Sequence, residues 1–355
     1  MFAIKLLDIP RIKTVELLVM LWLFPTVIQA QKTEYNIYTV AFYNLENLFD
    51  TVNDSLVRDD ERTPHGSYHW TKERYQDKLL KLATVIRGIG APYDLDGPEI
   101  IGVCEVENAD VLEDLITKPT MAALDYGYVH FDSPDERGID VALLYKKEKF
   151  IPTAFKSHRL LLENEKGFRD YTRDQLVVSG ILDTHPIHFL VNHWPSRRGG
   201  QSRSEPYRLA AAKLNKRIID SLRREDREAR IVAMGDFNDD PLDHSFKKVL
   251  KTQSSTTPID SFGLYNPMER LYKKGIGSLA YRDRWSLFDQ FYFTTNLLSK
   301  EGLFFWKAQV YRPQFLKNDS GRYKGYPFRT YAGNQYQGGY SDHFPIYLYL
   351  LAKVR

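Results

Sequence analysis

Residues 231–239 read IVAMGDFND: a short apolar run closed by Gly235, Asp236, Phe237, Asn238 and Asp239. The run has the length of a buried strand, and Gly, Asp and Asn are all turn formers. Alone, the stretch is equally well an ordinary turn. Its neighbours change the reading, because other apolar runs also end in residues that are costly to bury. Ile37–Tyr43 leads into Asn44 and Glu46, Ile100–Cys104 into Glu105, and Ile187–Val191 into Asn192 and His193. Asp289 stands inside LFDQFYF (287–293), and Ser341, Asp342 and His343 precede a last apolar run. Strand ends meeting at one sheet edge would gather several carboxylates, two histidines and asparagines into one cleft. Crowded carboxylates repel and are desolvated unless a cation or hydrogen bonds neutralise them. Oxygen ligands without a cysteine cluster select Mg²⁺, Mn²⁺ or Ca²⁺ over structural zinc.

Eight runs read as strands: 37–43, 99–106, 140–145, 175–182, 187–192, 231–234, 288–293 and 344–351. Two segments read as helices. Over 71–87, Tyr75, Leu79, Leu82 and Ile86 share a face, with Thr71 as cap and Gly88 as stop. Over 204–222, Leu214, Ile218 and Leu222 do the same, with Pro206 placed in the first turn. No repeat, low-complexity tract or Pro/Gly/Ser linker divides the chain. An α+β architecture of two packed sheets in one domain over 31–355 is the simplest expectation.

The 355 residues carry a formal charge of +3, and removing residues 1–30 lowers it to +2. Bulk charge therefore argues for neither a nucleic-acid nor a membrane partner; a local patch would have to do so. Lys5, Arg11 and Lys13 precede the apolar stretch Val15–Ile28, with the small residue Ala30 behind it. This is the pattern of an export signal cut near Ala30, giving a periplasmic or extracellular protein. Glu16 and Pro25 fit a permanent membrane span poorly. Cys104 is the single cysteine, so the mature chain has no internal disulfide; it reads as a buried small hydrophobe.

In order along the chain, YNLENLFD, VCEVEN, GIDVALLY, NHWPS, GDFND, LFDQFYF and YSDHFPI resemble the endonuclease/exonuclease/phosphatase superfamily. The resemblance spans about Ile37 to Leu350. It implies a four-layer α/β/β/α sandwich with two mostly antiparallel sheets, and a Mg²⁺- or Mn²⁺-dependent hydrolase of phosphate esters using in-line attack by water. On the same resemblance Glu105 is the main metal ligand, with Asn44, Glu46 and Asp342 as further candidates. Asp236 would orient or deprotonate the water and Asn238 would donate to the phosphoryl oxygen. His343 would contact the scissile phosphate, with Asp289 setting its tautomer. His193 and Asp140 would form a second pair, His193 protonating the leaving oxygen. Glu107 is expected to face elsewhere than Glu105.

The substrate is less legible. RRGGQSRSEPYR (197–208) carries Arg197, Arg198, Arg203 and Arg208 against Glu205; it reads equally as a phosphate-binding segment or a solvated basic loop. Arg137, shortly before Asp140, is another phosphate-contact candidate. The Gly-, Tyr- and Arg-rich stretch 320–340 could stack bases or sugars, or simply rim the fold. A nuclease-type phosphodiesterase acting on nucleic acid is the favoured expectation. A lipid or small-molecule phosphatase and a non-catalytic binding protein are the alternatives, and no obligate protein partner is inferred.

Overall fold

Twelve strands of two six-stranded sheets organise the chain in the computed structural model, which describes residues 34–93, 96–257 and 260–354. The expected export signal lies outside the described residues. The strands are β1 (Tyr35–Leu48), β2 (Ile100–Val106), β3 (Tyr126–His130), β4 (Asp140–Lys146), β5 (Phe150–His158) and β6 (Gln175–Leu182). They continue as β7 (His185–His193), β8 (Ile231–Asp236), β9 (Leu264–Tyr265), β10 (Asp289–Thr294), β11 (Leu303–Val310) and β12 (Ile346–Lys353). One sheet runs β11-β12-β1-β2-β4-β3 and the other β9-β10-β8-β7-β6-β5. Only β1/β2 and β7/β8 pair in parallel; the other neighbours are antiparallel.

Alternation along each strand builds the layers. In β1, Val40 and Phe42 face the second sheet and meet Val191, Val232, Met234 and Phe291 in a shared core. Ala41 and Tyr43 point outward, onto α1 (Lys72–Gly88) and α2 (Ala109–Ile116). On the other side, Leu190 and Ala233 pack under α3 (Gln201–Glu225) through Ala211, Ile218 and Ile219. The result is the expected four-layer sandwich. Among the described residues no helix is long and apolar enough to cross a membrane.

The α1 expectation holds: Thr71 caps it by accepting from the Arg74 amide, and Tyr75, Leu79, Leu82 and Ile86 are buried. The α3 expectation needs a correction. The helix begins at Gln201, so Pro206 lies inside it and not in the first turn. Arg203 and Arg208 are consequently helical, not part of a basic loop.

Candidate active site

Asp236 closes β8, and its strand neighbours set the site. It is in register with His193 on β7 and with Asp289 on β10. Gly235 is required just before it: a Cβ there would come within 2.4 Å of the Asn192 carbonyl oxygen on the next strand. Asn192 is structural; its side-chain oxygen accepts from Trp194 Nε1 and Asn215 Nδ2, tying α3 to the sheet. After Asp236, Phe237 turns inward against Trp194 and Phe246. Asn238 then takes φ +50° and returns its amide to Asp236 Oδ1 at 3.0 Å.

The first sheet reaches the same place by bulging. Its β1–β2 and β2–β4 registers shift around Glu46 and Glu105. Glu46, Asn47 and Glu105 all adopt positive φ, at 49°, 53° and 60°. Such conformations cost about 1–3 kcal/mol each for residues other than glycine and gather at functional sites. The bulge presents the Glu105 carboxylate to Asn44 Nδ2 at 3.3 Å and to the Asn47 amide at 2.9 Å. Asn44 Nδ2 also donates to Asp236 Oδ2 at 3.1 Å, joining the two sheets.

His343 enters from the segment before β12. Its Nδ1 lies 2.6 Å from Asp289 Oδ2, and its Nε2 lies 3.9 Å from Asp236 Oδ2. Ser278 Oγ donates to the same Asp289 oxygen, and Ser341 Oγ accepts the His343 amide. Burial disfavours the imidazolium, yet Asp289, Asp236 and Asp342 together hold the ring well above the ordinary histidine pKa. Burial, opposed by His343 and reinforced by Asp289 and Glu105, pushes the Asp236 carboxyl up to about 7. His193 goes the other way: burial, then Arg173, Arg137 and His343, hold it well below the usual range. The two histidines are thus pushed in opposite directions within one site.

Several expected residues are placed differently. Asp140 does not partner His193: it lies 3.1 Å from His130 Nε2 and accepts from the Ser133 amide and hydroxyl. His193 Nε2 instead faces Asp236 at 3.8 Å and Glu105 at 3.9 Å, while its buried Nδ1 has no partner among the described residues. Asp140 begins β4 as a sheet residue, so its carboxylate is taken up by the neighbouring β3 histidine. Arg197 does not offer a free guanidinium to substrate. It donates to the Asn238 carbonyl at 2.8 Å, Gln201 at 3.0 Å and Asp243 at 2.7 Å. Arg203 pairs with Glu165, and Arg208 is buried against Asp239. Arg137 and Arg198 are exposed and line one cleft. Glu107 faces away from the site, accepting the Asp50 amide at 2.6 Å.

Glu46 and Asp342 lie at the edge of the site with protein partners of their own. Glu46 accepts the Thr330 amide at 2.7 Å and lies 3.7 Å from Lys78 Nζ. Asp342 accepts from Arg329 at 2.7 Å. Lys78 was not anticipated. Fully buried, it donates to the Glu46 and Tyr340 carbonyls and to Thr330 Oγ1. Burial, against the pull of Glu46 and Asp342, brings its pKa down to about 8. Its signal was a lysine on the apolar face of α1, beside Leu79 and one turn from Tyr75 and Leu82.

The donor set suits a hard divalent cation. Glu105 keeps its carboxylate partly open, Asn44 stands beside it with its amide oxygen accepting the Glu46 amide at 2.9 Å, and the one cysteine nearby, Cys104, is buried with its thiol pKa raised. Asp236, Asp289 and His343 also lie close enough to group around an ion. There the imidazole, its pKa raised by the surrounding carboxylates, lies 2.6 Å from Asp289 and is itself a charge partner for the pair. In the second such group, His130, Asp132 and Asp140, the Asp132 carboxylate is 90 % exposed and only 4.0 Å from the ring.

Residues 39–352 match the model of an endonuclease/exonuclease/phosphatase family. No curated protein matches the chain in sequence. Among solved structures, D. rerio TDP2 complexed with a single-strand DNA product is similar at a TM-score of 0.52 and 12 % identity, covering 89 % of this chain and 99 % of that one. The mannosyl-6-phosphatase Bt3783 of Bacteroides thetaiotaomicron is similar at 0.52 and 18 %, covering 88 % and 99 %. An endonuclease/exonuclease/phosphatase family protein from the same organism gives 0.52 and 17 %, covering 90 % and 100 %. At these identities the likeness is one of fold. The family match and the strand-end cluster agree, and the chain belongs to the endonuclease/exonuclease/phosphatase family of phosphoester-hydrolysing enzymes.

Proposed function

We propose that this enzyme is a Mg²⁺- or Mn²⁺-dependent phosphodiesterase of the nuclease type, exported from the cell, that cleaves a P–O bond by in-line attack of water. One observation carries the choice of a diester. Two clefts that share no lining residue each include a chain neighbour of a cluster histidine, Pro195 two residues after His193 in one and Asp342 just before His343 in the other. A diester has a substituent on each side of phosphorus; a monoester has one. The second cleft, about 500 Å³, is lined by Tyr281, Tyr323 and Tyr326 with Arg282, Arg322 and Arg329, a surface suited to rings joined by phosphates.

The chain's own groups divide the work. Asp236, largely desolvated and steadied by the Asn44 and Asn238 donors, orients water and accepts its proton. His343, held by Asp289, presents a positive Nε2 to the phosphoryl oxygens. Asn238 gives one amide hydrogen to the Trp194 carbonyl at 3.0 Å, which fixes the direction of the other. His343, whose pKa is raised, is the group that can give a proton to the departing oxygen, while His193, held neutral, offers that oxygen only a hydrogen bond. A divalent cation held by Glu105 and Asn44, with Asp342 beside them, would neutralise charge gathering on the phosphoryl group.

The test is a panel with Mg²⁺ that compares single-stranded and duplex DNA, RNA, sphingomyelin and sugar phosphates. Preferential cleavage of oligonucleotides supports the reading. Turnover confined to monoesters or lipid head groups would replace it by the phosphatase alternative. Export is tested by N-terminal sequencing of the protein recovered outside the cytoplasm, where a start near residue 31 is expected.

A further inference from the structure

The cleft after His193, about 580 Å³, holds five arginines: Arg58, Arg137, Arg173, Arg198 and Arg203. Three have close carboxylate partners: Arg58 with Glu136 at 2.7 Å, Arg203 with Glu165 at 2.8 Å and Arg173 with Asp135 at 3.0 Å. Arg137 shares that Asp135 at 3.7 Å. Arg198 has no ion pair among the described residues. Asp170 is the remaining carboxylate of the wall, so positive charge is in excess.

The floor is built to stay in place. Arg173 is 6 % exposed, with Nη1 on Asp135, Nη2 on the Trp194 carbonyl at 2.8 Å and its Nε without a partner among the described residues. The same Trp194 carbonyl accepts from Asn238 Nδ2. One oxygen atom therefore ties the cleft floor to the amide expected to contact the scissile phosphate. From this geometry, and resting on the phosphodiesterase reading, we propose that the cleft binds a second phosphate of the substrate, adjacent to the one hydrolysed. Arg198 and Arg137 are its direct contacts and Arg173 is the positioning residue beneath them. Guanidinium forks match phosphate oxygens, and burial of the Arg173–Asp135 base leaves the two exposed heads to meet the ligand. The volume exceeds one phosphate, and the Tyr171 and Tyr207 walls suit the group attached to it. The substrate class is thus a molecule with at least two phosphates, either an oligonucleotide or a small bisphosphate.

The experiment measures kcat and KM for Arg198→Ala with Mg²⁺ on a short oligonucleotide, a small bisphosphate ester and a chromogenic diester with one phosphate; Arg137→Ala, whose lost charge also bears on His193, is read by ligand binding alone. Calorimetric titration of wild type and variants with pyrophosphate gives a readout independent of turnover. The expected result is a KM raised about tenfold on substrates with two phosphates, kcat nearly unchanged, the chromogenic diester unaffected and pyrophosphate binding weakened. If the oligonucleotide is not cleaved but the bisphosphate shows the selective loss, the nuclease reading fails and the subsite stands. Equal losses on all substrates, or no loss on any together with unchanged pyrophosphate binding, would overturn the subsite.

Discussion

Asp236 and Asp289 face each other as register partners on adjacent antiparallel strands, β8 and β10. Two buried carboxylates in such positions would repel. His343 resolves this by taking Asp289 at 2.6 Å on one nitrogen and facing Asp236 at 3.9 Å with the other. With its pKa raised by these carboxylates, the ring is the charge partner of the strand pair, and in the proposed mechanism it is the cation presented to phosphate.

Replacing either end of this relay should disable turnover. Asp236→Asn and His343→Ala are each expected to lower kcat by about 10³-fold, and the double variant by much less than the product. Single-turnover kinetics on the best substrate of the panel provides the check; near-normal turnover in either variant would remove that residue from the mechanism.

Chelation should abolish activity, with Mg²⁺ or Mn²⁺ restoring it. Glu105→Ala should weaken cation binding, measured by calorimetry, while the melting temperature stays close to that of the parent. The side chain is at a bulge and contributes hydrogen bonds rather than core packing. Full activity in excess chelator would exclude the cation role.

Lys78 should matter for stability through Glu46. Lys78→Met leaves a buried carboxylate near Asp342 without its cation, and breaking such a buried pair costs roughly 3 kcal/mol or more. Urea unfolding should show this loss, and Lys78→Met with Glu46→Gln should recover part of it. A neutral single variant would mean the pair is already discharged in the folded protein.

Glu107 supplies a pH dependence with a defined sign. Burial, opposed by the hydrogen bond from the Asp50 amide and reinforced by the charges of Asp50, Asp59 and Asp54, raises its pKa from 4.5 to about 8. Below 4.5 both folded and unfolded chains hold the proton. Between 4.5 and 8 the folded chain retains it and the unfolded chain does not, so this group's contribution to stability falls as pH rises through that window. Glu107→Gln should flatten the decline, with its largest relative gain near pH 8. Unfolding curves of parent and variant at pH 5 and pH 8 decide it; a parallel pair of pH profiles would refute the raised pKa.

The strands legible in the sequence are those with both faces covered. β1, β2, β4, β6, β7, β8, β10 and β12 show themselves as apolar runs because inner and outer faces are both packed. Within the two large sheets, the unrecognised strands β3, β5, β9 and β11 are the four sheet edges. An edge needs less apolar surface, as in β5 with Ile151 and Phe155 exposed, and β9 is only two residues long. The short α2 escaped because eight residues hold too few turns for a helical period to stand out.

The catalytic residue types were equally legible, since a strand that ends in Asp, Asn, Glu or His has little reason to do so in a core. Asn44, Glu105, His193, Asp236, Asn238, Asp289 and His343 do converge, linked by hydrogen bonds or short ion-pair distances. Partnership was not legible. Whether His193 meets Asp140 or Asp236 depends on which strands become neighbours, and whether Arg197 or Arg198 is free depends on where a loop folds back. Sequence alone determined the layers and the polar strand ends, because alternation and burial are local properties of a strand. Tertiary structure alone decided the pairs, because register and bulges join residues far apart in the chain, and a shift of one position turns a side chain to the other face.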